Sequence, residues 1–360
     1  MTTSPAMSSR VPHSCLWEIT SACNLRCIHC FHSAGTAKDD ELSTEEALSL
    51  SDSLAAAGCR VVGLTGGEPL FREDWPIISR RLADNNIEVV IATNGLLVDE
   101  NTIARMIESG VDAVSISLDG NREVHDAIRT PAVSSPLSRY DAAVRALKLT
   151  TASALKTGVT TQVHKQNIDD LDFIYDLVAS LGVDVWQIQI AIPLGRLLEI
   201  KHEYLIEPHQ ISALEKQIAG FIEDGQVPIN TADNIGYYGR LEPIIRKSRS
   251  GAPSFWSGCR AGISSVAITP SGGIKGCHAM PDDFVTGNVR ERSFVDIWTD
   301  SQSFPYNTKW DEMLLEGGCA ECSYHRVCRA GCTSMAFAMT ATVCDNPYCV
   351  QQAQEPEVLS

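Results

Sequence analysis

Three thiols stand within a short run at the start of the chain, Cys23-Asn24-Leu25-Arg26-Cys27-Ile28-His29-Cys30. Three soft thiolates are one short of the four that saturate a [4Fe–4S] cube, so a cluster held here keeps one iron open to an external chelator. A zinc loop or three structural thiols is the plainer alternative, although zinc sites usually pair ligands as C-x2-C with a distant second pair. A second group lies far downstream: Cys259, Cys277, then Cys319-x2-Cys322-x5-Cys328-x3-Cys332, with Cys344 and Cys349 behind. Zinc is the alternative there too, because the two metals share thiolate ligands. Between the groups, Gly66-Gly67-Glu68-Pro69 combines glycines that let the main chain approach a ligand with a carboxylate that pairs with an ammonium. Asn94, Ser117 and Asp119 carry short polar side chains suited to hydroxyls and carboxylates. Each of these motifs alone reads as a turn or a helix cap.

Composition narrows the setting. The chain has 360 residues, 44% of them apolar, and 29 basic against 45 acidic side chains give a net charge of −16. A sizeable core is expected, and nucleic-acid binding and attraction to anionic lipid are disfavoured. No stretch approaches the roughly 18 apolar residues of a membrane span. Residues 1–9 are polar, unlike a signal peptide. A cytoplasmic, reducing compartment follows as the expectation, and there 13 cysteines, an odd number, point to metal more than to disulfides. Cys15 and Cys59 lie apart from both groups and read as buried structural thiols.

The motifs need a scaffold. Apolar, β-branched runs at Leu16–Thr20, Arg60–Thr65, Glu88–Thr93, Val111–Leu118, Gly158–Val163 and Val183–Ile190 read as six strands. Helical patterns lie between them at Ser43–Ala57, Asp74–Asp84, Asp99–Ser109, Ser138–Leu149 and Ile168–Leu181. The alternation predicts an α/β fold, an incomplete (β/α)6 TIM-like barrel over residues 14–200 with chemistry at the C-terminal ends of its strands. Residues 201–258 read as a bridging helical region, with a helix over Glu207–Gly225 and a linker over Ser248–Gly258. A Cys-rich module over 259–350 opens with a hairpin around Ser271-Gly272-Gly273. Residues 1–13 and the tail 351–360 are expected to be disordered.

The C-x3-C-x2-C run resembles the signature of the radical S-adenosylmethionine (radical SAM) enzymes, and Gly66–Pro69 resembles that family's GGEP segment. The resemblance implies that Cys23, Cys27 and Cys30 hold a [4Fe–4S] cluster. It also implies that Gly66, Gly67, Glu68 and Pro69 hold the SAM methionine amino group. Asn94, Ser117 and Asp119 fall around the SAM ribose and carboxylate, Arg129 at the carboxylate, Asn167 at the ribose or substrate. His29 occupies a position from which a ring stacks on adenine; a solvent-facing histidine is the alternative. The downstream cysteines resemble the SPASM extension, which holds two auxiliary Fe–S clusters, of [4Fe–4S] type. By that resemblance Cys259, Cys277 and Cys332 hold the first, and Cys319, Cys322, Cys328 and one late cysteine the second, Cys349 being the choice and Cys344 the alternative. Relatives with a fully ligated first cluster carry another cysteine soon after the first, and residues 260–266 contain none. That leaves an available iron, a non-cysteine ligand or Cys344 for its fourth corner. His278 stands where some relatives place a proton-removing carboxylate, with a structural or ligand-supporting role as the alternative.

The implied function is oxidoreductase chemistry: SAM is cleaved to a 5′-deoxyadenosyl radical, which abstracts a substrate hydrogen. The leading expectation is a maturase of a ribosomally made peptide, forming a thioether, a C–C crosslink or a related oxidation. The alternatives are sulfatase-maturase-like formylglycine formation, tetrapyrrole side-chain modification, or a non-catalytic Fe–S or zinc scaffold. Expected partners are a peptide or protein substrate and a low-potential donor such as ferredoxin or flavodoxin. Only about a dozen residues precede the first strand, too few for a leader-binding domain. Leader recognition is therefore expected in the barrel and bridging region or on a separate protein.

Overall fold

The computed structural model describes residues 10–133, 137–247 and 252–353. Six parallel strands follow one another through the first half of the chain: β1 (Ser14–Thr20), β2 (Val61–Gly66), β3 (Glu88–Thr93), β4 (Ala113–Ser117), β5 (Lys156–Val163) and β6 (Val185–Ile190). Helices α1 (Thr44–Ala56), α2 (Trp75–Asp84), α3 (Glu100–Glu108), α4 (Arg122–Ile128), α5 (Arg139–Thr151) and α6 (Leu171–Ser180) form the crossovers. Several starts have a local cause. Ser43 and Glu46 close a capping box on α1, and Asp99 and Ser138 cap α3 and α5 by accepting from Thr102 N and Asp141 N. This is the α/β partial barrel expected from the alternation of strand and helix patterns.

The sheet runs further than those six strands. A three-residue strand, β7 (Ile229–Thr231), pairs parallel to β6 after α7 (Lys201–Tyr204) and α8 (Ile211–Asp224). On the other edge β8 (Ser265–Ile268) pairs parallel to β1, from Ser14 opposite Ser265 to Trp17 opposite Ile268. The hairpin partner β9 (Gly273–Lys275) and the short β10 (Gly287–Asn288) complete one ten-stranded sheet, in the order β10-β9-β8-β1-β2-β3-β4-β5-β6-β7. The Cys-rich module is therefore hydrogen-bonded to the barrel's first strand. The sheet's core face is a continuous apolar layer that includes Trp17, Ile19, Leu64, Ile91, Ile116 and Ile188, each at most 1% exposed.

Two expectations about the ends need correction. Residues 1–9 and 354–360 lie outside the described residues, but residues 10–13 and 351–353 are ordered. Arg10 donates to Gly262 O (3.0 Å) and Trp298 O (2.6 Å) and lies over the Trp298 ring, whose Nε1 donates back to Arg10 O at 2.8 Å. At the other end Val350–Ala353 is helical, Gln351 Nε2 donates to Tyr238 O (2.6 Å), and Gln352 Nε2 reaches Cys319 Sγ (3.3 Å). Specific side-chain bonds override the polar character that made both stretches read as loose. Of the linker, residues 248–251 lie outside the described residues, and Trp256 is buried with its Nε1 on Cys328 O at 2.9 Å.

Candidate active site

The loop leaving β1 carries Cys23, Cys27 and Cys30, and main-chain bonds hold it at several points. Cys23 N donates to Gly35 O (2.8 Å), Gly35 N to Ser21 O (3.0 Å), Arg26 N to Thr130 O (2.7 Å) and Ile28 N to Ile128 O (3.0 Å). Arg196, from the segment after β6, reaches back to Cys27 O (2.9 Å) and Ala34 O (3.0 Å). The three thiols are free, and the charges of Cys27 and Cys30 register at Cys23 and that of Cys30 at Cys27. Burial pushes Cys23 up to about 12 and Cys27 up to about 11, the latter against the pull of the Arg129 guanidinium. Among the described residues no three Cys, His or carboxylate groups converge on one point as a single metal ion requires. A cubane makes a different demand: its irons occupy separate corners, and three thiols spaced along a pinned loop fit it.

The next turn packs directly on this loop. Gly67 N donates to Thr20 O and Glu68 N to Ala22 O, both at 2.8 Å. A Cβ on Gly67 would sit 2.1 Å from Ala22 O, and one on Gly66, where φ is +136°, 2.2 Å from Thr20 O. The glycines are thus required by contact with the cysteine loop itself. Glu68 is buried, and its carboxylate accepts from Thr93 Oγ1 (2.8 Å), Asn94 N (2.8 Å) and Leu70 N (3.3 Å). Burial outweighs these bonds and raises it to about 7. Pro69 opens the short turn that follows. Asn94 Nδ2 donates to Asn24 Oδ1 at 2.7 Å, tying the end of β3 to the same loop. Ser117 ends β4 half-buried.

A buried polar cluster lies behind. Arg129 Nε donates to Asp119 Oδ2 (2.7 Å), and His29 Nε2 stands 3.6 Å from the same oxygen. Burial pushes Asp119 up, but the Arg129 charge together with His29, His125 and the Gln162 N–H more than reverses this and holds its carboxyl well below the usual range. The terminal nitrogens of Arg129 have no hydrogen bond among the described residues, which leaves them for a ligand. His29 is 2% exposed, which removes the solvent-facing alternative. Its ring packs parallel to His164 at 6.4 Å, and burial lowers it to about 3. Asn167 departs from its expected role. Its Nδ2 donates to Asp119 O and Gln162 O, both at 2.8 Å, and its Oδ1 accepts from His164 N. Neither N–H is left for a ribose; the amide braces the ends of β4 and β5.

A cavity of about 860 Å³ opens beside the loop, lined by Cys23, Gly66 and Gly67 on one side and by Lys275 and His278 on the other. Its wall includes charged groups the sequence reading passed over. Glu18 on β1 is 5% exposed, its Oε2 lies 3.1 Å from His32 Nδ1 and its Oε1 3.8 Å from Lys275 Nζ. Among the described residues that Oε1 accepts no hydrogen bond, and burial raises the carboxyl to about 7. An acid inside the apolar run Leu16-Trp17-Glu18-Ile19 and a lysine inside Gly273-Ile274-Lys275 were the signals that could have found them. His278 packs edge-on to Phe31 at 5.2 Å, and burial lowers it to about 4. It also lines a second cavity of about 310 Å³ with Gln187, Gln189, Asp233, Cys277 and Cys332. Trp186 points the other way into the core, with its Nε1 on Thr161 Oγ1 at 2.8 Å.

The remaining cysteines separate into two sets. Cys259, Cys277 and Cys332 perturb one another, all three raised by burial. Cys319, Cys322, Cys328 and Cys349 form the other, in which the charge of Cys349 registers at both Cys319 and Cys328. Asn346 N and Gln352 Nε2 approach Cys319 Sγ at 3.4 and 3.3 Å. The Cys344 carbonyl accepts from Glu316 N at 3.1 Å. Cys15 and Cys59 are buried near each other at the start of β1 and just before β2.

Residues 17–178 match the family profile of the radical SAM superfamily, and residues 259–333 that of the SPASM iron–sulfur cluster-binding domain. Mycofactocin maturase MftC of Mycolicibacterium smegmatis is 31% identical over 345 residues, 93% of this chain and 82% of that protein. The chain belongs to the radical SAM superfamily. AdoMet-dependent heme synthase of Methanosarcina barkeri is 28% identical over 352 residues, 95% of this radical SAM chain and 97% of the relative. Among solved structures, native anSMEcpe with bound AdoMet and Cp18Cys peptide superposes with a TM-score of 0.70 over 94% of both chains at 20% identity, a likeness of fold. As a radical SAM enzyme with a SPASM domain, the protein uses SAM, a [4Fe–4S] cluster and auxiliary iron–sulfur clusters.

Proposed function

We propose that this enzyme is a peptide maturase, forming a thioether or C–C crosslink or a related oxidation in a ribosomally made peptide. The observation that carries the reading is the continuity of its cavities: His278, Phe31 and Ala279 line both the 860 Å³ space beside Cys23 and the 310 Å³ space beside Cys277 and Cys332. A substrate segment seated there meets both the SAM-binding side and the first auxiliary set. Its relation to the mycofactocin maturase, over most of both chains, favours a peptide. In this reading Cys23, Cys27 and Cys30 hold the [4Fe–4S] cluster, and Gly66, Gly67, Glu68, Asn94, Ser117, Asp119 and Arg129 shape the SAM pocket. Cys259, Cys277 and Cys332 hold one auxiliary cluster, and Cys319, Cys322, Cys328 and Cys349 the other. Bound SAM supplies hydrogen abstraction from carbon. The protein's part is to orient substrate, exclude water and take up a proton. For that last task Glu18, at about 7, suits neutral pH better than His278, at about 4. A low-potential donor of ferredoxin or flavodoxin type, a reducing cytoplasmic setting and a separate leader-binding protein belong to the same proposal.

One observation favours a second reading: the relation to AdoMet-dependent heme synthase spans nearly all of both chains, which supports a tetrapyrrole side chain as substrate. Co-expression with any short peptide encoded beside this gene, followed by mass spectrometry, separates the two. A loss of about two hydrogens from the peptide, absent with Cys23→Ala, is expected. An unaltered peptide together with loss of carboxyl mass from an iron porphyrin would overturn the proposal.

A further inference from the structure

The first auxiliary set holds three cysteines, and the stretch after Cys259 supplies no fourth. The turn that follows β7 passes close by. Tyr237 Oη donates to Asp233 O at 2.6 Å and accepts from Cys332 N at 2.8 Å, so one phenol couples the main chains of Asp233 and Cys332. Asn234 pins the same turn to the end of β6, Nδ2 donating to Ile190 O (2.6 Å) and Oδ1 accepting from Ile190 N (3.2 Å). Asp233 lines the 310 Å³ cavity with Cys277 and Cys332.

Its carboxylate is uncommitted: among the described residues it accepts no hydrogen bond and forms no ion pair. The neighbouring guanidinium groups are engaged elsewhere, Arg246 Nε with Glu242 Oε1 at 3.0 Å and Arg260 with Ser257 Oγ at 3.0 Å. The Asp233 charge registers at both Cys277 and Cys332. The Arg246 and Arg260 charges act on Asp233 from a distance without bonding it, so its carboxylate is left facing the thiolates, and an iron between them makes that arrangement attractive. A turn this firmly fixed holds the group in place for that purpose.

We propose that Asp233 is the fourth ligand of the first auxiliary cluster, completing Cys259, Cys277 and Cys332 from the side of the 310 Å³ cavity. The inference rests on the cysteine grouping proposed above. In the resting enzyme all four corners of that cluster are then protein-ligated, and the one carboxylate among thiolates is its weakest-held corner.

The test uses the full chain with Cys23, Cys27 and Cys30 changed to Ala, reconstituted anaerobically, so that only auxiliary clusters give a signal. Electron paramagnetic resonance of the reduced protein is recorded with and without imidazole. The expected result is no response in this parent, a shifted signal on adding imidazole to Asp233→Ala, and no response again in Asp233→Cys. A parent that responds as Asp233→Ala does, or an Asp233→Ala that stays silent, overturns the inference. Should Asp233→Ala not fold, the midpoint potential of Asp233→Cys decides, because an unchanged potential overturns the inference equally. Failure of the cysteine grouping reads out separately: Cys277→Ala should lose about half the auxiliary iron, and full retention would contradict the grouping.

Discussion

Replacing Asp119 by Asn removes the counter-charge of a guanidinium that is itself only 7% exposed. Arg129 Nε sits 2.7 Å from Asp119 Oδ2, and the other oxygen accepts from Gln162 N at 3.0 Å. An Asn at 119 could still accept from Gln162, but its amide would leave Arg129 without an anion. Breaking one side of a buried pair costs about 3–5 kcal/mol, because the surviving charge stays desolvated. Arg129→Met strands Asp119 in the same way and should cost a similar amount. The double variant Asp119→Asn/Arg129→Met strands neither charge, so its loss should be well below the sum of the single losses. Urea unfolding of the anaerobically reconstituted proteins measures all three, and the cycle should show a coupling of about 2 kcal/mol or more. The pH dependence has a definite sign. Asp119 is held below its ordinary range, so its contribution is present above about pH 3.9 and is lost as pH falls through the folded value. The gap between wild type and Asp119→Asn should therefore narrow below pH 4. Single variants whose losses simply add, or a gap that widens in acid, would show that Asp119 and Arg129 are not a coupled buried pair.

Other predictions address separate parts of the molecule. Gly67→Ala places a methyl 2.1 Å from Ala22 O, a backbone atom beside Cys23, and should cost about 1–3 kcal/mol and sharply reduce iron retained by the N-terminal loop, read as iron per chain with Cys277 and Cys349 intact. Glu215 on α8 is 2% exposed, raised by burial and by Glu242 to about 7, with Oε1 unpartnered among the described residues. A raised carboxyl stabilises below its unfolded value and loses that contribution as pH climbs toward 7, so Glu215→Gln should melt higher than wild type at pH 8, with the advantage gone at pH 4. Cys349→Ala should lose about half the auxiliary iron, whereas Cys344→Ala should retain it, by iron and sulfide analysis.

Much of this architecture was legible because it is local. β-Branched runs mark β1 to β6, Ser43 and Glu46 mark the start of α1, and the cysteine spacing marks both thiol groups. What escaped was short or long-range. Helix α4 has only seven residues and β7 three, too few for a periodic pattern to register. The pairing of β8 with β1 joins segments some 250 residues apart in sequence, and no local signal reports it. Glu18 and Lys275 were passed over because each lies inside an apolar run that reads as strand, and only the fold brings them 3.8 Å apart. The glycines of Gly66-Gly67 were read as space for a ligand, and the structure shows them pressed against Thr20 and Ala22 as well. Asn167 shows the opposite limit: a polar residue at a strand end can spend its amide bracing that end.

If the loop of Cys23, Cys27 and Cys30 carries a cluster that splits SAM, the cleavage product reports it. Anaerobically reconstituted protein is given SAM and dithionite, and 5′-deoxyadenosine is quantified by chromatography, in parallel with the variant carrying Ala at all three positions. 5′-Deoxyadenosine is expected from the native chain and none from the variant, which should still hold its auxiliary iron. No 5′-deoxyadenosine from a native chain with its full iron content, or equal amounts from both proteins, would contradict it.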